Sequence, residues 1–111
     1  MKKRAISLLL CFVLVVSVCS IVAYADTSDM GTKVTGTAKI NGTNVNFRSG
    51  PGTGYSSGGY VHTDETGNVT NVYPGFYNRE WYRLNMTSGD HEGECGWVYY
   101  PYVIAYNINY A

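Results

Sequence analysis

Residues 45–52 read Val45-Asn46-Phe47-Arg48-Ser49-Gly50-Pro51-Gly52, a strand-forming run that leads directly into a glycine-rich loop. Its first half is predicted to form a short strand. Its second half, continued by Gly54, surrounds a proline of fixed φ with glycines and predicts a shaped, irregular loop. A phosphate-binding loop is excluded, because no helix-forming segment follows and no lysine with a serine or threonine completes that motif.

Strand-forming segments continue on both sides of this stretch. Upstream, residues 34–40 are predicted to form a strand, and Asn41-Gly42 predicts a type I′ hairpin that returns the chain into residues 45–48. Downstream, short apolar segments between turn residues predict further strands at residues 59–63, 68–73, 81–86, 95–98 and 103–108. The expected total is roughly five to seven short strands.

The composition of residues 26–111 favours an all-β fold. Leu84 is the only leucine there, beside seven valines, ten threonines and ten tyrosines, which are strand-forming residues. All 13 glycines lie after residue 30, where they separate the apolar runs as turn residues do. We therefore predict one small barrel or sandwich, too short for a two-domain active site or a dinucleotide-binding fold.

The N-terminus has the order of a secretory signal peptide. Basic residues at positions 2–4 precede an uncharged apolar run that ends in the small-residue site Ala23-Tyr24-Ala25. We predict a signal peptide over residues 1–25, a flexible lead over residues 26–32 and a barrel over residues 33–111. The mature protein is then secreted and free of the membrane. An uncleaved membrane anchor is the alternative, because the uncharged run is long for a signal peptide.

Charge and cysteine content exclude several classes of partner. Removing 25 of the 111 residues leaves 86 with one cysteine, Cys95, which excludes an internal disulfide and a cysteine-based zinc site. Cys95 either stays free or joins two copies of the chain in a disulfide dimer. The remaining five Lys and Arg residues are scattered among eight Asp and Glu residues, which excludes nucleic acid. The acidic stretch 90–94 is interpreted as a solvated turn rather than a metal site, and no cofactor is predicted.

Three segments, in order and spacing, resemble the bacterial SH3 domain family. Val45 to Gly52 is similar to that family's opening LNVRSGPG, Trp81-Tyr82-Arg83-Leu84 to its WYKV strand, and Gly96 to Val103 to its GWVSSSYL closing segment. Two features depart from the family: residues 68–72 lack its valine alternation, and the turn at residues 87–94 is longer and more acidic. The resemblance implies a small five-stranded SH3-like barrel that binds cell-wall peptide or glycan and carries no catalytic site.

The aromatic content independently favours a binding surface. Residues 26–111 contain 14 aromatic residues, more than so small a core needs, so some are expected at the surface. Tyrosine offers a rigid apolar face with a hydrogen-bonding tip, which suits stacking on sugars or extended peptides. The alternative for any one tyrosine, and for Trp81, is that it fills the core or seals an end of the barrel. The predicted groove residues border the glycine loop and the turn at residues 99–102: Tyr55, Tyr60, Trp97, Tyr100 and Tyr102.

Strand alternation indicates which residues near that groove face the core and which face outward. Val98 is the better core residue, so Trp97 and Cys95 should face outward or into the groove. Arg48, beside the glycine loop, either binds a ligand carboxylate or hydrogen-bonds to loop carbonyls, and the second interpretation is favoured.

No pattern of catalytic residues is present. Only 16 residues follow Cys95 and none of them is a histidine, whereas the cysteine-peptidase pattern needs a histidine and an orienting Asn or Asp far downstream. No motif places two acids at glycosidase separation. The sequence therefore predicts a secreted, non-catalytic module that binds cell-wall peptidoglycan. The alternative is a protein interaction module that binds an extended peptide of a secreted or surface protein.

Overall fold

The computed structural model describes residues 26–111, and the predicted signal peptide at residues 1–25 lies outside them. The described chain is all-β, as predicted, with a single 3₁₀ turn at Tyr100–Tyr102. No helix within residues 26–111 has the length and apolar character needed to cross a bilayer. The strands are β1 (Thr32–Ile40), β2 (Val45–Arg48), β3 (Ser57–Val61), β4 (Thr66–Pro74), β5 (Arg79–Met86), β6 (Cys95–Tyr99) and β7 (Val103–Tyr110).

The strands form one antiparallel sheet in the order β3-β2-β6-β5-β4-β1-β7. The sheet curls on itself, because the last residue of β1 meets the turn between β3 and β4: Ile40 N donates to Glu65 O at 2.8 Å and Ile40 O accepts from Asp64 N at 3.0 Å. Six strands supply one core, whose members are Val34, Ala38, Ile40, Val45, Phe47, Val61, Val69, Val72, Tyr82, Leu84, Met86 and Val98. The predicted small barrel is confirmed.

The predicted β1–β2 hairpin is wrong. Asn41 and Gly42 do end β1, but β1 pairs with β4 and β7 while β2 pairs with β3 and β6. The backbone donors of the turn bind elsewhere, Asn41 N to Tyr102 O at 2.9 Å and Gly42 N to the Thr63 hydroxyl at 3.0 Å. Local turn chemistry therefore sets where β1 stops, and long-range pairing decides its neighbours.

Residues 26–31 lie across the outer face of the sheet, and we call them the N-terminal strap. The Thr27 hydroxyl donates to Ser49 O at 2.7 Å, which ties the strap to the glycine loop. Asn71, which is 1 % exposed, donates from Nδ2 to Ser28 O at 2.7 Å and to Met30 O at 3.1 Å. These bonds hold the strap against the sheet, whereas a flexible lead was expected here.

The strap explains why the prediction of an exposed Trp97 is wrong. Trp97 does point away from Val98, which belongs to the core cluster, as strand alternation requires. Its indole is nevertheless fully buried, because its Nε1 donates to the Thr27 hydroxyl at 2.9 Å and Tyr73 packs edge-on at 6.4 Å. Cys95, two residues earlier on the same face, is exposed as predicted.

Candidate ligand-binding cleft

A cleft of about 350 Å³ opens on the outer face of the barrel, between the glycine loop, β5 and the 3₁₀ turn. One wall is aromatic and the other is polar. The cleft is lined by Val45, Asn46, Arg48, Thr53, Trp81, Tyr99 and Tyr102.

The aromatic wall is built by the β5–β6 ladder and the turn that follows it. Trp81 lies directly opposite Tyr99, so their side chains share the outer face, with ring centroids 5.1 Å apart. The 3₁₀ turn contains Pro101 and brings Tyr102 back toward Tyr99, with a centroid distance of 6.4 Å. Trp81 is 8 % exposed and forms the base of the wall, while both tyrosines are open to solvent.

The polar wall comes from β2 and the glycine loop. Asn46 and Arg48 are two residues apart on β2 and therefore share a face. Arg48 Nη1 donates to Tyr55 O at 3.0 Å and, more weakly, to Thr53 O at 3.4 Å. This geometry confirms the favoured interpretation that Arg48 holds loop carbonyls, and it fixes Thr53 at the rim of the cleft.

The structure brings together some of the predicted groove residues and separates others. Tyr102 lines the cleft, and Tyr100 flanks the aromatic wall with its ring 5.2 Å from that of Tyr99. Tyr60 lies opposite Asn46 in the β2–β3 ladder and is half exposed beside the polar wall.

Tyr55, another predicted groove residue, packs within the glycine loop. An added Cβ at Gly50 would collide with the Tyr55 ring, so this ring occupies the space that the glycine leaves open. The Tyr55 hydroxyl donates to Met30 Sδ at 3.8 Å, which links the loop to the strap. Tyr55 therefore supports the loop, and Trp97 lies beneath the strap, so neither lines the cleft.

Sequence reasoning missed Trp81 and Tyr99 as cleft residues. The signal that identifies them is the register of the β5–β6 hairpin, in which Asn85 pairs with Cys95 and Trp81 with Tyr99. That register depends on the turn at residues 87–94, whose polar sequence gives no two-residue turn signal that would fix it. From the sequence alone, Trp81 is indicated only as a residue that fills the core or seals an end of the barrel; its 8 % exposure agrees with burial, and its place in the cleft comes from the register.

The acidic turn after β5 packs partly on the barrel. His91 packs against Phe47 with the two rings tilted by 39° and their centroids 5.0 Å apart, and its Nδ1 lies 3.5 Å from Glu94 Oε1. An added Cβ at Gly59 would lie 2.8 Å from His91 Nε2, so the histidine also covers β3. Within residues 26–111, no three His, Cys, Asp or Glu residues come together as potential metal ligands.

A second aromatic cluster lies away from the cleft, where β7 ends against the β4–β5 loop. Phe76 and Tyr110 are stacked with ring centroids 4.2 Å apart, and the Arg79 guanidinium lies 4.7 Å from the Phe76 ring centroid. Desolvation, and after it a hydrogen bond between the Tyr110 and Tyr77 side chains, raise the pKa of Tyr110. The C-terminal end of the chain is thus packed on this loop and leaves the cleft open.

Comparison with protein-family models, curated proteins and solved structures gives no match to this chain.

Proposed function

We propose that this protein is a secreted, non-catalytic SH3-like module that binds cell-wall peptidoglycan through the cleft. The observation that carries the proposal is the pairing of an aromatic wall, Trp81, Tyr99 and Tyr102, with a polar wall that contains Arg48 and Asn46. The apolar run and small-residue site at residues 1–25 support export. The three segments that resemble bacterial SH3 domains support the wall as the ligand.

The dimensions and chemistry of the cleft suit a short segment of a polymer. Its volume of about 350 Å³ falls at the small end of the range for ligand pockets, roughly 300–1,000 Å³. Tyrosine rings present flat apolar faces for sugar rings or peptide backbone, and their hydroxyl groups add hydrogen bonds. A cleft that is open to solvent accepts an internal segment of a long chain, which a closed cavity does not.

The test is co-sedimentation of the protein, expressed as the full 111-residue chain, with insoluble peptidoglycan. We expect Tyr99→Ala and Tyr102→Ala each to weaken retention by about 1–2 kcal/mol, or roughly five- to thirtyfold in Kd. Tyr106→Ala is the matched control, because Tyr106 is 43 % exposed, against 42 % for Tyr99 and 44 % for Tyr102, yet lies on β7 outside the cleft. Equal retention of all three variants would exclude the cleft as the binding site.

The same suspension tests whether the protein is catalytic. The turbidity of the peptidoglycan is expected to stay constant over hours with the unmodified protein. Clearing that is lost in Cys95→Ser would instead identify a lytic enzyme.

A protein interaction module is the second candidate, and it is favoured by the outer edge of β7, which pairs with no other strand within residues 26–111. β7 is an outer strand of eight residues that contains no charged side chain, and such an edge can accept an added strand. This candidate predicts the opposite pattern of variants. Binding of a secreted partner would fall in Tyr106→Ala and stay unchanged in Tyr99→Ala, and peptidoglycan would not retain the protein.

A further inference from the structure

Arg48 keeps hydrogen-bond donors that the barrel does not use. Nη1 donates to the carbonyls of Tyr55 and Thr53, whereas Nε and Nη2 have no acceptor among residues 26–111. None of the three ion pairs in that part of the chain includes Arg48. A guanidinium is charged at every physiological pH, so the cleft contains a cation whose counter-charge the described residues do not supply.

The rest of the cleft has no acidic residue. The other six lining residues are neutral, and three of them are aromatic. Residues 26–111 carry more acidic than basic side chains, so this cleft is a local positive site in a part of the chain whose net charge is negative. A ligand that packs on the aromatic wall displaces water beside Arg48, which strengthens an ion pair formed there.

The two loop carbonyls fix the guanidinium before a ligand arrives. Arginine normally loses side-chain freedom when it binds, and that loss weakens binding. Anchoring Nη1 on the glycine loop removes part of this loss and leaves the Nε–Nη2 edge as a planar fork. A carboxylate matches that edge with two parallel N–H···O bonds.

We propose that Arg48 binds a carboxylate of the wall's peptide portion while Tyr99 and Tyr102 pack on the neighbouring residues of that peptide. This inference rests on the proposed function and narrows it. The ligand is a carboxylate-bearing stem peptide, because a neutral glycan strand offers no carboxylate to Arg48. Arg48 thereby has two roles, as an anchor of the glycine loop through Nη1 and as the ligand's counter-ion through Nε and Nη2.

The test compares two ligands on the unmodified protein, so that the fold is the same in both measurements. A synthetic wall tetrapeptide with free carboxyl groups and the same peptide with every carboxyl group amidated are titrated calorimetrically. We expect the free acid to bind at least about tenfold more tightly, since a bidentate, charge-assisted pair is lost in the amide. Equal affinity for the two peptides would overturn the inference.

Variants then locate the carboxylate site. The ratio of the affinity for the free-acid peptide to that for the amidated peptide should fall close to one in Arg48→Gln. It should be partly retained in Arg48→Lys, which keeps the positive charge but lacks the two parallel N–H donors. Arg79→Gln is the control, because it removes a positive charge that faces Phe76 outside the cleft. A preference that persists in Arg48→Gln would place the carboxylate elsewhere and overturn the inference.

The outcomes separate this inference from the proposed function. If insoluble peptidoglycan retains the protein while acid and amide bind equally, wall binding stands and the role of Arg48 is refuted. If neither peptidoglycan nor either peptide binds, both are refuted.

Discussion

The indole N–H of Trp97 makes one of the hydrogen bonds that join the N-terminal strap to the sheet. Its acceptor, the Thr27 hydroxyl, in turn donates a hydrogen bond to Ser49 O at the start of the glycine loop. Trp97 itself is completely buried, so its N–H has no access to water as a substitute acceptor. Thr27 therefore accepts the hydrogen bond of the buried Trp97 N–H. Through its own bond to Ser49 O it also holds the glycine loop, in which Thr53 lines the cleft.

This arrangement predicts a non-additive pair of substitutions. Thr27→Val leaves the Trp97 N–H buried without an acceptor and should lower the free energy of unfolding by about 1–3 kcal/mol. In the Trp97→Phe background the donor is absent, so Thr27→Val should have a clearly smaller effect. Urea unfolding followed by circular dichroism measures both values. An equal loss in the two backgrounds would show that the bond contributes nothing to stability.

At the scale of elements, the glycine loop between β2 and β3 is shaped by a side chain placed inside it. Tyr55 fills the space over Gly50, while Arg48 and Ser49 bond to the far side of the loop, the latter through Ser49 N to Ser56 O at 2.9 Å. The loop needs glycine at position 50 because of that contact and not because of its own backbone angles. Gly54 has no neighbour within 4 Å of an added Cβ and is free of this requirement.

Gly50→Ala should therefore displace Tyr55 and destabilise the protein by about 1–3 kcal/mol, as overpacking does. Because Thr53 lies in the same loop and lines the cleft, peptidoglycan retention should fall as well. Gly54→Ala, the matched control, should leave both stability and retention within error. Thermal unfolding and co-sedimentation of the two variants decide the matter. Similar behaviour of the two alanine variants would contradict the role given to Tyr55.

Local sequence patterns predict where the strands lie but not how the edge strand β7 pairs. The apolar and threonine-rich runs located β4, β5, β6 and β7 to within a few residues, because strand propensity is a local property. β7, however, carries a bulge: Thr35 and Thr37 face Asn109 and Tyr106, so β7 has one more residue there, and Asn107 adopts a φ of 55°. This bulge fits Ile108 over Gly36, a contact between residues far apart in sequence. No local pattern could have indicated it.

At the scale of the whole molecule, sequence reasoning reached the fold class and part of the cleft, and it failed where distant segments meet. Tyr102 and Arg48 were identified because both adjoin glycine or proline turns, which mark surface loops. Trp97 was misplaced because its burial depends on Thr27, 70 residues away, packing across the sheet. Trp81 is buried, as one sequence interpretation expects, but its place in the cleft could not be predicted, because the hairpin register that puts it on the outer face is set by a long polar turn.

The C-terminal stack of Phe76 and Tyr110 gives the molecule a predicted response to alkaline pH. The folded-state pKa of Tyr110 is raised above its ordinary value near 10, chiefly by desolvation and then by the hydrogen bond with Tyr77. A raised folded-state pKa means that the folded state holds this proton more tightly. The corresponding stability is complete below pH of about 10 and is lost as the pH rises through the folded-state value. Ionised Tyr110 would also place a charge against the Phe76 face and loosen the end of β7.

Tyr110→Phe should therefore retain the stack and lose less stability in alkali than the unmodified protein does. The melting temperature, measured by circular dichroism between pH 8 and roughly 12, should fall less steeply in this variant, with the two curves converging in slope below the ordinary tyrosine pKa of about 10. Tyr106→Phe removes a phenol from the same strand but outside the stack, and it controls for the loss of a hydroxyl group. If the melting temperature of Tyr110→Phe fell as steeply with pH as that of the unmodified protein, ionisation of Tyr110 would not be the cause of the loss of stability in alkali. The stack of Tyr110 on Phe76 would then not make the stability of the barrel depend on pH.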